Sequence, residues 1–85
     1  MEVVLLPDAL DDLKSWQKSG NKAIQKKIVE LIKSIQDSPF DGIGKPEALK
    51  HSLTGKWSRR INSEHRIVYL VEENTIYIYS LKGHY

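Results

Sequence analysis

A glutamate, a lysine and a histidine occur close together in the stretch GKPEALKH, which runs from Gly44 to His51. If Pro46 begins a single helical turn, Glu47, Lys50 and His51 take positions i, i+3 and i+4 and face the same side. A carboxylate can accept a proton and an ammonium attracts an anion, so this group could perform acid–base chemistry on a charged substrate. The alternative is a surface ion pair of about 0.3 to 0.5 kcal/mol without a catalytic role.

Arginines occur on both sides of a short polar segment, Asn62 to Glu64. If the flanking residues form antiparallel strands, a two-residue turn places Arg59 opposite Arg66, whereas a three-residue loop places Arg60 opposite Arg66. Two guanidinium groups directly opposite repel each other unless they share an anion, and a phosphate matches the paired donors of arginine. The alternative is an exposed strand face on which the arginines lie beside glutamates.

The last six residues are SLKGHY. If a strand extends to about Leu81, beside the strand that carries Arg66, we expect Lys82, His84 and Tyr85 to lie near that arginine. Histidine is suited to proton transfer near neutral pH, and tyrosine can stack on a base or carry a proton. The alternative is a polar tail without a function.

The hydrophobic pattern predicts the elements that position these residues. A short apolar run predicts a strand from Glu2 to Leu6. Apolar residues at helical spacing predict a helix that starts at Pro7 and Asp8 and is broken by SGN at Ser19 to Asn21, and a second helix that Asn21 caps and that ends before Ser38. A loop rich in proline and glycine follows, and three strand-like runs come after it: KWSRRI, HRIVYLVE and TIYIYSLK. The predicted fold is α+β in the order β-α-α-β-β-β, with two N-terminal helices packed on one face of a small, mainly antiparallel sheet.

The composition limits the class of protein. Eighty-five residues predict a single domain, 1–85, and the lack of cysteine excludes a disulfide framework and thiolate metal sites. No apolar run has the length of a membrane span, so we expect a soluble, cytoplasmic protein. The net charge of +2 is too small to indicate a nucleic-acid ligand by itself. The histidines lack the spacing of metal ligands, so neither a metal nor a cofactor is expected.

These segments together resemble the YoeB family of bacterial toxins, a branch of the RelE-like messenger RNA endonucleases. The resemblance covers almost the whole chain and is carried by GKPE, LKH, WSRRI, EHR, VY and the closing HY, with WQKS in the first predicted helix. It implies a RelE-like fold and the toxin of a type II toxin–antitoxin system. Such a toxin cleaves mRNA in the ribosomal decoding site and is silenced by an antitoxin.

The resemblance also implies roles for individual residues. Glu47 would be the general base, Arg66 the phosphate stabiliser and His84 the general acid, while Tyr85 would stack on a base or assist. The residues expected to bind RNA are the basic side chains around this set: Lys50, His51, Arg59, Arg60 and Lys82.

RNA chemistry gives the expected reaction. Glu47 would take the proton of a ribose 2′-OH, the oxygen would attack the adjacent phosphorus, and His84 would protonate the departing 5′ oxygen, which leaves a 2′,3′-cyclic phosphate and a 5′-OH.

The expected partners are mRNA in the ribosomal A site, ribosomal RNA, a YefM-like antitoxin and a second copy of the chain in a homodimer. No membrane is expected among them.

Two other classes of protein remain open. A non-catalytic RNA-binding module would use the same arginines and Tyr85 but would not turn over RNA on ribosomes. A protein-interaction domain would expose an apolar surface and would be indifferent to a change of His84. Neither class explains why a base, an acid and a phosphate-binding residue all occur.

Overall fold

Two helices cover one face of a five-stranded sheet in the computed structural model, which describes residues 1–83. The elements in chain order are β1 (Glu2–Leu5), α1 (Pro7–Ser19), α2 (Lys22–Asp37), β2 (Glu47–Ala48), β3 (Trp57–Arg60), β4 (Arg66–Glu72) and β5 (Thr75–Ser80), with a 3₁₀ turn at His51–Leu53 between β2 and β3. The strand order is β1-β5-β4-β3-β2, and the β1–β5 pair is parallel while the other pairs are antiparallel. The predicted α+β fold with a mainly antiparallel sheet is confirmed.

The helices begin and end where the sequence predicts. Pro7 is the first residue of α1, and Gly20 follows the helix with a positive φ of 74°, which glycine adopts without steric penalty. The side chain of Asn21 caps α2 by accepting a hydrogen bond from the Ile24 amide at 3.1 Å. The apolar stripe of α2 is buried against the sheet, at Ile24, Ile28, Leu31 and Ile35. Within residues 1–83, no helix combines the length and the apolar character that crossing a bilayer requires.

Alternate residues of the central strands form the other half of the core. Ile67 and Tyr69 of β4 and Ile76 and Ile78 of β5 face the helices and have no exposed surface. The β4–β5 hairpin turns through Glu73 and Asn74, both with positive φ, as a two-residue turn requires. We call the sheet face turned away from α1 and α2 the outer face.

The β3–β4 register is the three-residue-loop alternative. Arg60 lies opposite Arg66, and Arg59 lies opposite Ile67. Since successive residues of a strand point to opposite faces, Arg60 and Arg66 belong to the outer face and Arg59 belongs to the helix-covered face.

The segment GKPEALKH differs from the prediction. Glu47 and Ala48 form the edge strand β2 instead of a helical turn, and Glu47 pairs with Ser58 of β3. Lys50 is extended, with a φ of −122°, and the 3₁₀ turn begins only at His51. The physical reason is backbone pairing, because β3 offers a row of partners to the segment whereas an isolated helical turn fixes several residues for one hydrogen bond.

Candidate functional site

Glu47 and Arg66 lie beside each other on the outer face. Glu47 and Ser58 are cross-strand partners, Ser58 is paired in turn with Val68, and Arg66 lies two residues from Val68 on the same face. Arg66 Nη1 is 3.8 Å from Glu47 Oε1, and the side chains are 20% and 67% exposed, respectively. A hydrogen bond between nitrogen and oxygen spans about 2.7 to 3.2 Å, so the carboxylate and the guanidinium are close without being locked together. Both groups keep hydrogen-bonding capacity for a substrate.

Arg60 adds a second guanidinium next to this pair. It is directly opposite Arg66 and is exposed, and it forms no ion pair within residues 1–83. Like charges directly opposite on neighbouring strands destabilise a sheet unless a counter-charge lies between them. Glu47 partly supplies that charge, and a bound phosphate would complete it.

The described chain ends at Gly83, beside Arg66. The backbone amide of Arg66 donates to the Gly83 carbonyl at 2.8 Å, and the Gly83 amide donates to His65 Nδ1 at 2.9 Å. The His65 ring also packs against the Trp16 ring in a T-shaped arrangement, with ring centroids 4.8 Å apart. These contacts give His65 a structural role, and they hold the start of the tail next to the Arg66 backbone.

Of the other predicted tail residues, only Lys82 lies within the described range, and its side chain lies away from Glu47. Lys82 Nζ donates to Ser15 Oγ at 2.9 Å and lies 4.9 Å from the centroid of the Trp16 ring. Its side chain therefore lies along α1, and the structure does not bring it to Glu47. The predicted roles of His84 and Tyr85 fall on residues outside the described range and stay predictions.

Lys50 and His51 line an open pocket of about 460 Å³ together with Glu47; its other lining residues are Ala48, Leu49 and Leu53. The turn that carries His51, which has a φ of 60°, is held by Thr54, whose hydroxyl donates to the His51 carbonyl at 2.7 Å. The acid, the ammonium and the imidazole thus surround one pocket, although a strand and a turn bring them together rather than a helix. Within residues 1–83 no group of three His, Asp or Glu side chains is arranged to hold a metal ion.

Arg59 is not part of this site. It is fully buried on the helix-covered face, and its guanidinium donates to Tyr69 Oη at 3.1 Å and to Ser34 Oγ at 2.7 Å. Its remaining donors bind three carbonyl groups, those of Ser38, Asp41 and Ile43. The prediction that Arg59 binds RNA conflicts with this placement, because a guanidinium without exposed surface and with every donor engaged cannot reach a phosphate.

Arg59 and Tyr69 fix the loop that leads into β2. The Tyr69 hydroxyl donates to the Pro39 carbonyl at 2.6 Å; burial raises the pKa of this phenol, while the hydrogen bond and charge of Arg59 act to lower it. Gly42 follows in the same loop with a φ of 121°, and a Cβ there would lie 2.6 Å from Ser34 Oγ. The loop before Glu47 is therefore packed closely against α2 and β3.

The chain matches the family model described as "YoeB-like toxin of bacterial type II toxin-antitoxin system" over residues 5–85. It is 47% identical to Toxin YoeB of Escherichia coli strain K12 over 85 residues, which is 100% of each chain. It is similar to a YoeB dimer from Staphylococcus aureus, with 50% identity and a TM-score of 0.92, and to YoeB in a YoeB–YefM complex from the same organism, with 51% identity and a TM-score of 0.91. Both alignments cover 100% of this chain and 98% of the other. The chain therefore belongs to the family of YoeB-like toxins of bacterial type II toxin–antitoxin systems.

Proposed function

We propose that this toxin is a ribosome-dependent endoribonuclease that cleaves mRNA in the decoding site. The observation that carries the proposal is the distance of 3.8 Å between Glu47 Oε1 and Arg66 Nη1 on the outer face. A carboxylate and a guanidinium at this separation can contact the two neighbouring groups of one nucleotide junction, the ribose 2′-OH and the phosphate. Family membership supports the same conclusion, since RelE-like toxins are the group that the motifs of this chain resemble.

The reaction needs only acid–base groups and a cation. Glu47 accepts the proton of the 2′-OH while the bond between that oxygen and phosphorus forms, and the bond from phosphorus to the 5′ oxygen breaks as His84 donates a proton to it. Arg66 offsets the negative charge that grows on the non-bridging oxygens. The products are a 2′,3′-cyclic phosphate and a 5′-OH.

The tail contacts support the assignment of the acid. Gly83 is bonded through its carbonyl to the backbone amide of Arg66, so the chain passes the proposed phosphate site directly before His84. An imidazole can donate a proton near neutral pH, and the neighbouring Tyr85 can stack on a base of the substrate. The roles of His84 and Tyr85 rest on the sequence, because both residues lie outside the described range.

The surrounding cations would bind the RNA. Lys50 and His51 line the pocket next to Glu47, and Arg60 lies opposite Arg66.

Because the Glu47 side chain is 67% exposed, water competes for it in the free protein. Docking on the ribosome would exclude that water and orient the substrate, which strengthens each electrostatic contribution. This exclusion of water is the physical reason we propose for a dependence on the ribosome, and a toxin that acts on ribosomes is expected to work in the cytoplasm.

The proposed partner in the cell is a YefM-like antitoxin. The YoeB of Staphylococcus aureus forms a complex with YefM, and it also forms a dimer. A cationic active site is readily covered by an acidic segment that folds on binding. We expect the toxin alone to arrest growth and co-expression with the antitoxin to relieve the arrest.

Primer extension on ribosome-bound mRNA tests the proposed activity. Incubation of programmed 70S ribosomes with the toxin should create new mRNA ends in the decoding site, and the downstream fragments should accept a 5′ phosphate from polynucleotide kinase without prior dephosphorylation. The control is the same mRNA without ribosomes, which should stay intact. Binding without new ends would favour the RNA-binding module, and equal cutting of free mRNA would overturn the dependence on the ribosome.

A further inference from the structure

A second open pocket, of about 410 Å³, lies where β3 ends. We call it the basic pocket, because three of its lining residues carry a positive side chain: Lys27 of α2, Lys45 of the loop before β2, and Arg60 of β3. Asn62 and Ser63 of the β3–β4 loop complete its polar wall. Three separate elements of the fold thus bring cations to one place.

The charges of the basic pocket are not neutralised within residues 1–83. No acidic residue lines it, and neither lysine nor Arg60 forms an ion pair there. The acids nearest to these cations in sequence are Glu47, two residues after Lys45, Glu30, one turn after Lys27 on α2, and Glu64 in the β3–β4 loop. Glu47 is paired with Arg66, and Glu30 and Glu64 are exposed and form no ion pair with these cations. Three like charges around one pocket raise the electrostatic energy of the free protein, and an anion bound among them would lower it.

The backbone holds Lys45 at this place. Gly44 has a φ of 82°, its carbonyl accepts a hydrogen bond from the Arg60 amide at 2.6 Å, and a Cβ on it would lie 2.7 Å from a methyl group of Leu31. Lys45 itself has a φ of 52°, a conformation that residues other than glycine seldom adopt. The segment is therefore fixed between α2 and β3, and the direction in which Lys45 leaves the backbone is set by this packing.

Arg60 connects the basic pocket with the candidate active site. It lines the pocket and is also the cross-strand partner of Arg66. A cationic path thus extends from Arg66 past Arg60 to Lys45 and Lys27, around the end of β3. An RNA strand carries a phosphate on every nucleotide, so a molecule bound at Arg66 has further phosphates that can follow such a path.

We propose that the basic pocket binds an RNA phosphate other than the one at Arg66. The donors are the Arg60 guanidinium, the two ammonium groups, the Ser63 hydroxyl and the Asn62 amide; the Asn62 carbonyl oxygen already accepts from two backbone amides of its own loop, both at 2.8 Å. These groups suit a phosphate better than an acidic peptide. A peptide would also pack against apolar surface, and the one large apolar lining residue, Ile61, is only 5% exposed. The inference rests on the proposed function, in which RNA is the ligand.

Binding measurements with lysine variants test the inference without cleavage. The variants are Lys27→Gln, Lys45→Gln and both together, and the matched control is Lys26→Gln with Lys33→Gln, two exposed lysines of α2 outside the pocket. The RNA probes are vacant 70S ribosomes and, separately, a single-stranded RNA oligonucleotide. Affinities of labelled protein are measured over a range of salt concentrations, and circular dichroism melts verify that each variant is folded.

Counterion release sets the expected size of the effect. Each phosphate contact contributes about 0.7 to 0.9 to the slope of log affinity against log salt, which between 1 M and 0.1 M salt corresponds to about sixfold in affinity. Because the proposal places one phosphate among these cations, the double variant should bind about sixfold more weakly at 0.1 M salt than the control pair, although both have lost two charges. A loss with the oligonucleotide would assign the phosphate to mRNA, and a loss with ribosomes alone would assign it to ribosomal RNA.

Equal affinity of the double variant and the control pair for both RNA probes would overturn the inference. Weakened binding of the antitoxin with unchanged RNA binding would overturn it as well and would make the pocket a protein contact. The test is independent of catalysis: if no variant, nor the unmodified protein, cleaves mRNA, the proposed function fails while the affinities still decide whether the pocket binds RNA.

Discussion

Arg59 Nε donates a hydrogen bond of 3.1 Å to the hydroxyl of Tyr69 in the interior of the fold. The two residues lie on neighbouring strands, and each also binds backbone carbonyls of the loop after α2, Arg59 that of Ser38 and Tyr69 that of Pro39. This loop is the connection between α2 and the strand that carries Glu47. The hydrogen bonds of a buried guanidinium and a buried phenol therefore determine where the proposed general base lies.

Arg59→Met should destabilise the protein strongly. The change leaves three carbonyl groups and two hydroxyls of the interior without their donor, and each unsatisfied buried group costs about 1 to 3 kcal/mol. Allowing for relaxation, the free energy of unfolding should fall by about 3 kcal/mol or more in urea denaturation. The matched control is Arg60→Met on the outer face, which should change it by about 0.5 kcal/mol or less. Similar values for the two variants would contradict the structural role of Arg59.

Tyr69 should make stability depend on pH in the alkaline range. Its pKa is raised above the ordinary value of 10.0, chiefly by burial, so the folded state holds the phenolic proton more tightly than the unfolded state. The contribution of this group is fully present below pH 10 and is lost as the pH rises from there through the raised pKa. Unfolding free energies of the wild type should consequently fall more steeply above pH 10 than those of Tyr69→Phe. Parallel curves would show that Tyr69 titrates alike in both states.

The sequence predicts the helices and hairpins well because their signals are local. Pro7 and Asn21 mark helix starts, and the two-residue connection Glu73–Asn74 marks a hairpin. The edge strand at Glu47–Ala48 has no such signal, because two residues show no periodicity and the strand exists only through its pairing with β3. Local propensity favours the helical turn predicted there, but pairing with the distant strand β3 makes the segment a strand.

Residue types predict the candidate site, and they assign the buried Arg59 to it wrongly. Strand alternation in WSRRI puts Arg59 on the same face as Trp57 and Ile61, two large apolar residues, and this pattern indicates the helix-covered face. Arginine is seldom fully buried, so the residue type alone predicts an exposed side chain and conflicts with the pattern. The basic pocket was not predicted because Lys27 and Lys45 lie far from Arg60 in sequence and meet only in the folded chain.

Glu47→Gln should remove the basicity of the side chain while it preserves its shape. With ribosomes in excess, the single-turnover rate of mRNA cleavage should fall by about 10²-fold or more, and ribosome binding should change little. Glu64→Gln, an exposed glutamate of the β3–β4 loop, is the control for the loss of one negative charge. If the variant binds ribosomes poorly but cleaves at the normal rate once bound, Glu47 serves in docking and not as a base.

Arg66→Ala should separate the backbone role of this residue from its charge. The hydrogen bond to the Gly83 carbonyl comes from the backbone amide and is retained, so the start of the tail should stay in place. The guanidinium is lost, and with it the electrostatic stabilisation of the phosphate, for which about a 10²- to 10³-fold lower cleavage rate is expected. Thermal melts measure the fold and single-turnover assays measure the rate. Near-normal cleavage by the folded variant would exclude the proposed role.

A substrate with a better leaving group tests His84 as the general acid. His84→Ala should slow cleavage of ordinary mRNA by about 10²- to 10⁴-fold, because the departing 5′ oxygen no longer receives a proton. An mRNA with sulfur in place of that single oxygen needs no protonation, so the same variant should cleave it at a rate close to that of the wild type. Glu47→Gln is the control, since a missing base is not compensated by a better leaving group and its rate should stay low. If sulfur fails to rescue His84→Ala, the proton comes from another group, and His51, which lines the pocket beside Glu47, is the next candidate to examine by the same method.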